Sequence, residues 1–316
     1  MKNQLDGLRW MPCWTSHMGC LAGCLEFAGM QVSPPRLFGG TGHAFIINIH
    51  DELCPSGPTA WDTSMLFRLG ENLGYGVRTI LAEKAQADFA GKQREAWLHV
   101  RECIERRVPC YGWELSVPEF YTIHGCDDTG YYYTGPCCAD ESGPRPWQEL
   151  GTSGTSVLCV HSVRAGAAAP AATQVREAFA FAVEHALTGR WAFPNYSAGA
   201  DAYEAWAAAL EAGRASRFGQ GYNCAVWSEC RDMAVLFLRE VREEMPGKTA
   251  RLFDEAVLHY RIVQARLRSL LELYPFRLPE AEGERLKSVQ GAELVRQAAA
   301  SERKGLEVLR RIAESL

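Results

Sequence analysis

Three segments carry the residue types that could do chemistry. The first is Ser16-His17-Met18-Gly19-Cys20-Leu21-Ala22-Gly23-Cys24-Leu25. A cysteine at the first turn of a helix meets unbonded backbone N–H groups and the positive end of the helix dipole, which favour the thiolate. The thiolate is the nucleophile of cysteine hydrolases, so Cys20 is a candidate. The plainer alternative is a buried helix with core thiols at Cys20 and Cys24, whose small residues Gly19, Ala22 and Gly23 let another layer approach closely. The second segment, Phe38-Gly39-Gly40-Thr41-Gly42-His43-Ala44-Phe45, combines three glycines with a histidine. Gly40 and Gly42 can expose backbone amides to a ligand or let the chain pass close to a helix. His43 can act as a base or as a structural side chain. The spacing is not that of a phosphate-binding loop.

The third segment runs from Tyr111 to Asp128 and carries Glu114, Glu119 and His124 on two strands about Pro118. Strand alternation puts Glu119 and His124 on opposite faces unless a bulge intervenes. His124, Cys126, Cys137 and Cys138 are metal-competent, but no Cys-x-x-Cys pair is present and adjacent Cys137-Cys138 suits one tetrahedral zinc poorly, so no metal and no cofactor is expected.

The elements that must position these groups follow from periodicity. Gly19–Ala28, Thr63–Leu73 and Lys84–Arg107 read as helices, with Gly29 and Gly74 as stops. His43–His50, Val108–Trp113, Glu119–His124, Gly130–Thr134 and Val157–Val163 read as strands. Residues 164–173, small and containing Pro170, read as a linker. Beyond it the pattern is helical: Val175–Leu187, Ala202–Leu210, Cys224–Glu244, Ala250–Tyr274 and Glu284–Leu316. The expected organisation is an α+β domain over 1–165 and an all-α domain over 166–316. Tyr222 and Asn223, at the start of a helix packed by Trp227, are candidate ligand contacts; a capped structural helix is the alternative.

The ordered segments resemble the N-terminal domain of the butirosin-biosynthesis acyltransferase-like proteins, over residues 10–165. The carriers are a Cys-bearing helix, Gly29-Met30-Gln31-Val32-Ser33, Leu37-Phe38-Gly39-Gly40-Thr41-Gly42, and Tyr121-Thr122-Ile123-His124-Gly125-Cys126-Asp127-Asp128. More distantly they are similar to peptidases that cleave double-glycine leaders. The resemblance implies a papain-like fold, with acyl-enzyme chemistry on an amide, peptide-like or acyl-carrier substrate. It implies a Cys at the start of the first helix, a His opening a later strand, and an Asp after the next. Cys20 takes the nucleophile place when counted from Gly23 and Leu25; counting back from Gly29 gives Ser16 instead. The His place falls on Glu119, and the Asp place on Gly135-Pro136. Two repairs are open: His124 with Asp140, or His43 oriented by Glu119. A carboxylate alone beside Cys20 would raise the thiol pKa. Two functions are therefore expected: a Cys20-dependent acyltransferase or amide hydrolase, or a catalytically inactive papain-like protein that binds a small molecule or peptide in the same cleft.

Bulk properties bound the partners. The net charge is −5, from 33 basic and 38 acidic side chains, which disfavours nucleic acid. No run approaches a membrane span, and Met1–Asp6 lacks the apolar core of a signal peptide, so a cytoplasmic protein is expected. Ten of the 12 cysteines lie at or before Cys159; in that compartment they are expected to be free thiols. The helical half offers surface for a homodimer.

Overall fold

In the computed structural model, residues 3–138, 142–245, 247–276 and 285–316 are described. In chain order the elements are β1 (Asn3–Gln4), α1 (Ser16–Phe27), α2 (Pro34–Gly40), a 3₁₀ turn (His43–Phe45), β2 (Asn48–His50), α3 (Ser64–Asn72), β3 (Tyr75–Glu83), α4 (Phe89–Glu105), β4 (Cys110–Trp113), β5 (Phe120–Cys126), β6 (Gly130–Thr134), β7 (Ser142–Pro146) and β8 (Val157–Ala165). Then come α5 (Ala171–Thr188), β9 (Tyr196–Ala198), α6 (Gly199–Ala212), β10 (Ala215–Ser216), α7 (Arg217–Arg242), α8 (Lys248–Leu273), β11 (Arg285–Leu286) and α9 (Val289–Ser315). The protein is mixed α+β with a C-terminal helical region. Among the described residues no helix is long and apolar enough to cross a membrane.

The chain divides into two compact units that are not two consecutive halves. One comprises Met1–Ser33 and Gly74–Ala168; the other comprises Pro34–Leu73 and Ala169–Leu316. The third crossing, at 168/169, falls inside the expected linker. The expected 1–165 domain differs, because residues 34–73 cluster with the helices. Arg36 shows the cause: its guanidinium bonds Glu240 (2.8 Å) and Gln174 (3.1 Å) and pairs with Glu244.

The first unit is built on an antiparallel sheet of order β3-β8-β4-β5-β6-β7, with β1 on β5. Residues directly opposite in such a ladder share a face. His161 of β8, paired with Tyr111 and Thr79, therefore points to one side, and Ser162 to the other. α1 covers the His161 side: His17 hydrogen-bonds Tyr111 (2.9 Å) and stacks on Phe120 (4.2 Å) and His161 (5.6 Å). α4 covers the other, where His99 meets Ser162 at 2.9 Å.

The small residues of α1 do what their size suggests. Residues 9–11 cross the helix so tightly that a β-carbon at Gly23 would stand 1.8 Å from the Arg9 carbonyl oxygen, and one at Gly19 2.3 Å from that of Met11. The α1 helix starts three residues earlier than its periodicity indicates. β3 and β7 were absent from the sequence expectation.

The second unit packs α2, α3 and α5–α9. An ion pair is buried in its apolar core. Arg231 of α7, fully buried, holds the Glu302 carboxylate of α9 with two bonds (2.9 and 2.6 Å), donates from Nη1 to the Ala44 and Ile46 carbonyls (3.0 and 2.9 Å) and from Nη2 to the Tyr203 hydroxyl (3.4 Å). Burial opposes the charge; Glu302 and Tyr203 more than offset it, so the guanidinium stays protonated. Only Asn48–His50 of the expected 43–50 strand pairs, with β9; His43–Phe45 is a 3₁₀ turn whose carbonyls and neighbours are claimed by Arg231.

Candidate functional site

α1 begins at Ser16, after Thr15, whose side chain caps no amide. The serine is therefore the first helical residue, where backbone N–H groups lack intrahelical partners. Its hydroxyl donates to the Glu119 carboxylate in a short hydrogen bond and accepts the Phe120 N–H at 3.0 Å. Glu119 immediately precedes β5. Its position is set by the hairpin 114–119, which closes with Glu114 N–H to Glu119 O at 2.8 Å and Glu119 N–H to Val117 O at 2.7 Å. Tyr121 supports the hairpin by accepting the Val117 N–H on its hydroxyl, at 3.1 Å. Beneath the pair, the His17–Phe120 stack ties the helix start to the strand start. Ser16 is buried and Glu119 half-buried, while Trp14 and Val117 near them in sequence are 38% and 39% exposed. A hydroxyl, a carboxylate and a helix N-terminus thus meet at this point.

Cys20 lies one turn deeper. It is fully buried, and its thiol is pushed well above the ordinary range by burial first, then by Cys24, Cys13 and Glu119. Cys20 is thus an enclosed thiol that burial keeps protonated. Glu119 is at the site, but its hydrogen-bonded partner is Ser16.

His43 belongs to the second unit. There it is fully buried between Trp61 and Phe38, with its pKa lowered to about 3 by burial, Arg231 and His185. His124 is the bulged residue where the β5–β6 register shifts between Ile123 and Gly125, and it is 2% exposed; its carbonyl accepts Leu5 N–H at 2.7 Å. The bulge invoked for it exists. Asp140, its proposed companion, lies outside the described residues.

The expected ligand contacts have packing roles. A β-carbon at Gly40 would meet Leu73 at 2.7 Å, and one at Gly42, whose φ is +74°, would meet Phe181 at 2.5 Å. Glu114 is buried, and its carboxylate collects the Thr155 N–H (3.3 Å) and hydroxyl, anchoring that loop. Asn223 is fully buried; it donates to Gly219 O (2.8 Å) and Leu53 O (3.3 Å) and accepts Trp227 Nε1–H at 3.0 Å. Tyr222 stacks on Phe218 and meets Phe276 edge-on. The residue the sequence reading left out of the site is Ser16. Its signal was the alternative count from Gly29.

Two thiol–imidazole contacts also went unforeseen. Cys159 meets His161 Nε2 at 3.1 Å, with Thr79 Oγ1 2.9 Å from Nδ1; Cys103 meets His99 Nε2 at 3.5 Å. Burial pushes the Cys159 thiol up to about 12 and the His161 imidazole down to about 3, so that couple is neutral at pH 7 and serves as internal hydrogen bonding. Compared with known proteins, the chain matches no family model, and no curated protein matches its sequence.

Proposed function

We propose that the first unit is a papain-like acyl-handling domain whose working couple is Ser16 and Glu119, in place of a thiol and an imidazole. In this reading it acts as a serine-dependent hydrolase or acyltransferase on an acyl or peptide-like substrate. The observation that carries it is the Ser16–Glu119 hydrogen bond at the junction of the α1 and β5 starts. The resemblance puts the base place on Glu119, and one of its two counts, the one from Gly29, puts the nucleophile place on Ser16; the other puts it on Cys20. Support also comes from the layout, a helix starting at the nucleophile and lying on an antiparallel sheet.

Ser16 Oγ attacks the substrate carbonyl as its proton passes to the Glu119 carboxylate. The oxyanion develops at the N-terminus of α1, where the dipole and the first-turn amides favour negative charge. Collapse breaks the bond to the leaving group, which takes the proton from Glu119. Water or an amine then attacks the acyl-serine, with Glu119 again accepting the proton; collapse breaks the acyl–Oγ bond, and Ser16 Oγ takes the proton back from Glu119. The Phe120 N–H and the His17 stack hold Oγ and the strand start in place.

A fluorophosphonate probe, which phosphonylates activated serines, tests this. Peptide mapping of the treated full-length protein is expected to find the adduct on Ser16. It should be absent in Ser16→Ala and retained in Cys20→Ala. A second reading has its own observation: Ser16 Oγ already accepts the Phe120 N–H, so one lone pair is engaged before any substrate arrives. Under that reading the cleft binds the same ligands without turnover, and no serine is labelled.

A further inference from the structure

Two adjacent thiols lie at the end of β6. The chain turns there through Gly135-Pro136-Cys137-Cys138, closed by Cys138 N–H to Gly135 O at 3.2 Å, with φ +61° at Cys137. Proline second and a positive φ third is the type II pattern, whose third place ordinarily takes glycine. Here a cysteine occupies it, with its side chain exposed, while Cys138 is half-buried; both thiols are free. An accessible thiol next to a shielded one is the arrangement of an attacking and a resolving cysteine.

The turn touches the hairpin that carries Glu119. Gly135 lies so close to Tyr121 that a β-carbon on it would stand 2.6 Å from the ring. The Tyr121 hydroxyl holds Val117, Val117 O holds the Glu119 N–H, and the Glu119 carboxylate holds Ser16. Contacts therefore run unbroken from the thiol turn to the serine.

We propose that Cys137 and Cys138 form a redox-active dithiol that a small-molecule disulfide converts to a vicinal disulfide, and that this bridge slows the chemistry of Ser16. The second clause rests on the function proposed above. The Cys137 thiolate attacks one sulfur of the oxidant RSSR, forming a mixed disulfide and releasing RS⁻, which takes up a proton. The Cys138 thiolate then attacks the Cys137 sulfur and releases the second RSH. Two thiols and RSSR become one protein disulfide and two RSH, the oxidant accepting two electrons. Neighbouring Cα atoms are about 3.8 Å apart, below the usual disulfide span of about 4.4–6.8 Å. The bridge is strained and readily reduced, the property of regulatory disulfides. Closing it reshapes the turn against Tyr121 and so displaces the hairpin under Glu119.

The test incubates the full-length protein with glutathione disulfide and follows intact mass and peptide maps. The expected product has lost two hydrogens, located at Cys137–Cys138, and dithiothreitol restores it. Cys138→Ser is expected to trap one glutathione on Cys137, Cys137→Ser to block both products, and Cys13→Ser to change nothing. A stable glutathione adduct on Cys137 in the unmutated protein, or no reaction at either thiol, overturns the dithiol. Fluorophosphonate labelling of Ser16 is expected to slow at least tenfold in the bridged protein; equal rates overturn the gating. If Ser16 is unlabelled even when reduced, the serine reading fails, and the mass measurements alone decide the dithiol.

Discussion

Replacing Glu119 with glutamine separates a general base from a structural hydrogen-bond acceptor. The amide is nearly isosteric, and its oxygen can still accept from Ser16, whose hydroxyl is also fixed by the Phe120 N–H at 3.0 Å. Geometry is therefore retained while the negative charge and the proton-accepting power are lost. General-base catalysis is worth about 10²–10⁴ in rate, equivalent to ~2.7–5.4 kcal/mol at 1.36 kcal/mol per decade. A hydrogen bond that only braces the fold would cost about 0.5–1.5 kcal/mol of stability instead. The assay is steady-state cleavage of an activated acyl ester by the full-length protein, with an unfolding curve for each variant. The expected result is a fall in kcat of two to four decades with KM little changed, the signature of an interaction made in the transition state. Retention of most of the wild-type kcat in Glu119→Gln refutes the base assignment. Loss of turnover in Cys20→Ala, with Ser16→Ala still active, refutes the serine reading altogether.

Glu302→Ala strands the buried Arg231 charge and is expected to destabilise the protein by about 3–5 kcal/mol in denaturant unfolding. Arg231→Met with Glu302→Leu recovers only part of this, because the Ala44 and Ile46 carbonyls lose their donors. Gly23→Ala should lower the melting temperature despite alanine's better helix propensity, since the new methyl group collides with the Arg9 carbonyl; overpacking costs about 1–3 kcal/mol. Burial depresses His43 and His161 to about 3 and His185 to about 4. For a histidine held neutral in the fold, the unfolded chain binds the proton first. Stability is therefore unaffected above pH 6.5 and is lost as pH falls from there toward 4. The three contribute up to about 4 kcal/mol per pH unit, at 1.36 kcal/mol each. Denaturant midpoints at pH 7 and pH 5 check this, and a His161→Gln variant should flatten the slope.

Much of the architecture is written locally. The helices α3 to α9 follow from 3.6-residue periodicity and from stops such as Gly74, Gly189 and Gly213, all with positive φ. The strands β4, β5, β6 and β8 follow from short apolar and aromatic runs between turn residues. β3 was missed because its half-exposed sequence gains its identity from pairing with β8 along its whole length, Tyr75↔Ala165 to Glu83↔Val157. The assignment of residues 34–73 was also invisible, because a discontinuous unit is defined by contacts between distant segments, such as Arg36 with Glu240. At the site the sequence supplied a short list: the Cys20 thiol, the Ser16 hydroxyl, the His43 and His124 imidazoles, and the Glu119 and Asp140 carboxylates.

What the sequence alone determined was a helix bearing Cys20, with Ser16 just ahead of it, and a strand that opens at Glu119. It could not choose between Ser16 and Cys20. They are four residues apart, so helical periodicity puts them on the same side of the same helix, one turn apart. Only the tertiary structure separates their surroundings, with residues 9–11 crossing α1 at Gly19 and Gly23, at the depth of Cys20. At that depth Cys20 is sealed and protonated, and Ser16 stands at the helix start with its hydroxyl on Glu119. Depth along an element is a property of what packs across it, and no local pattern encodes it.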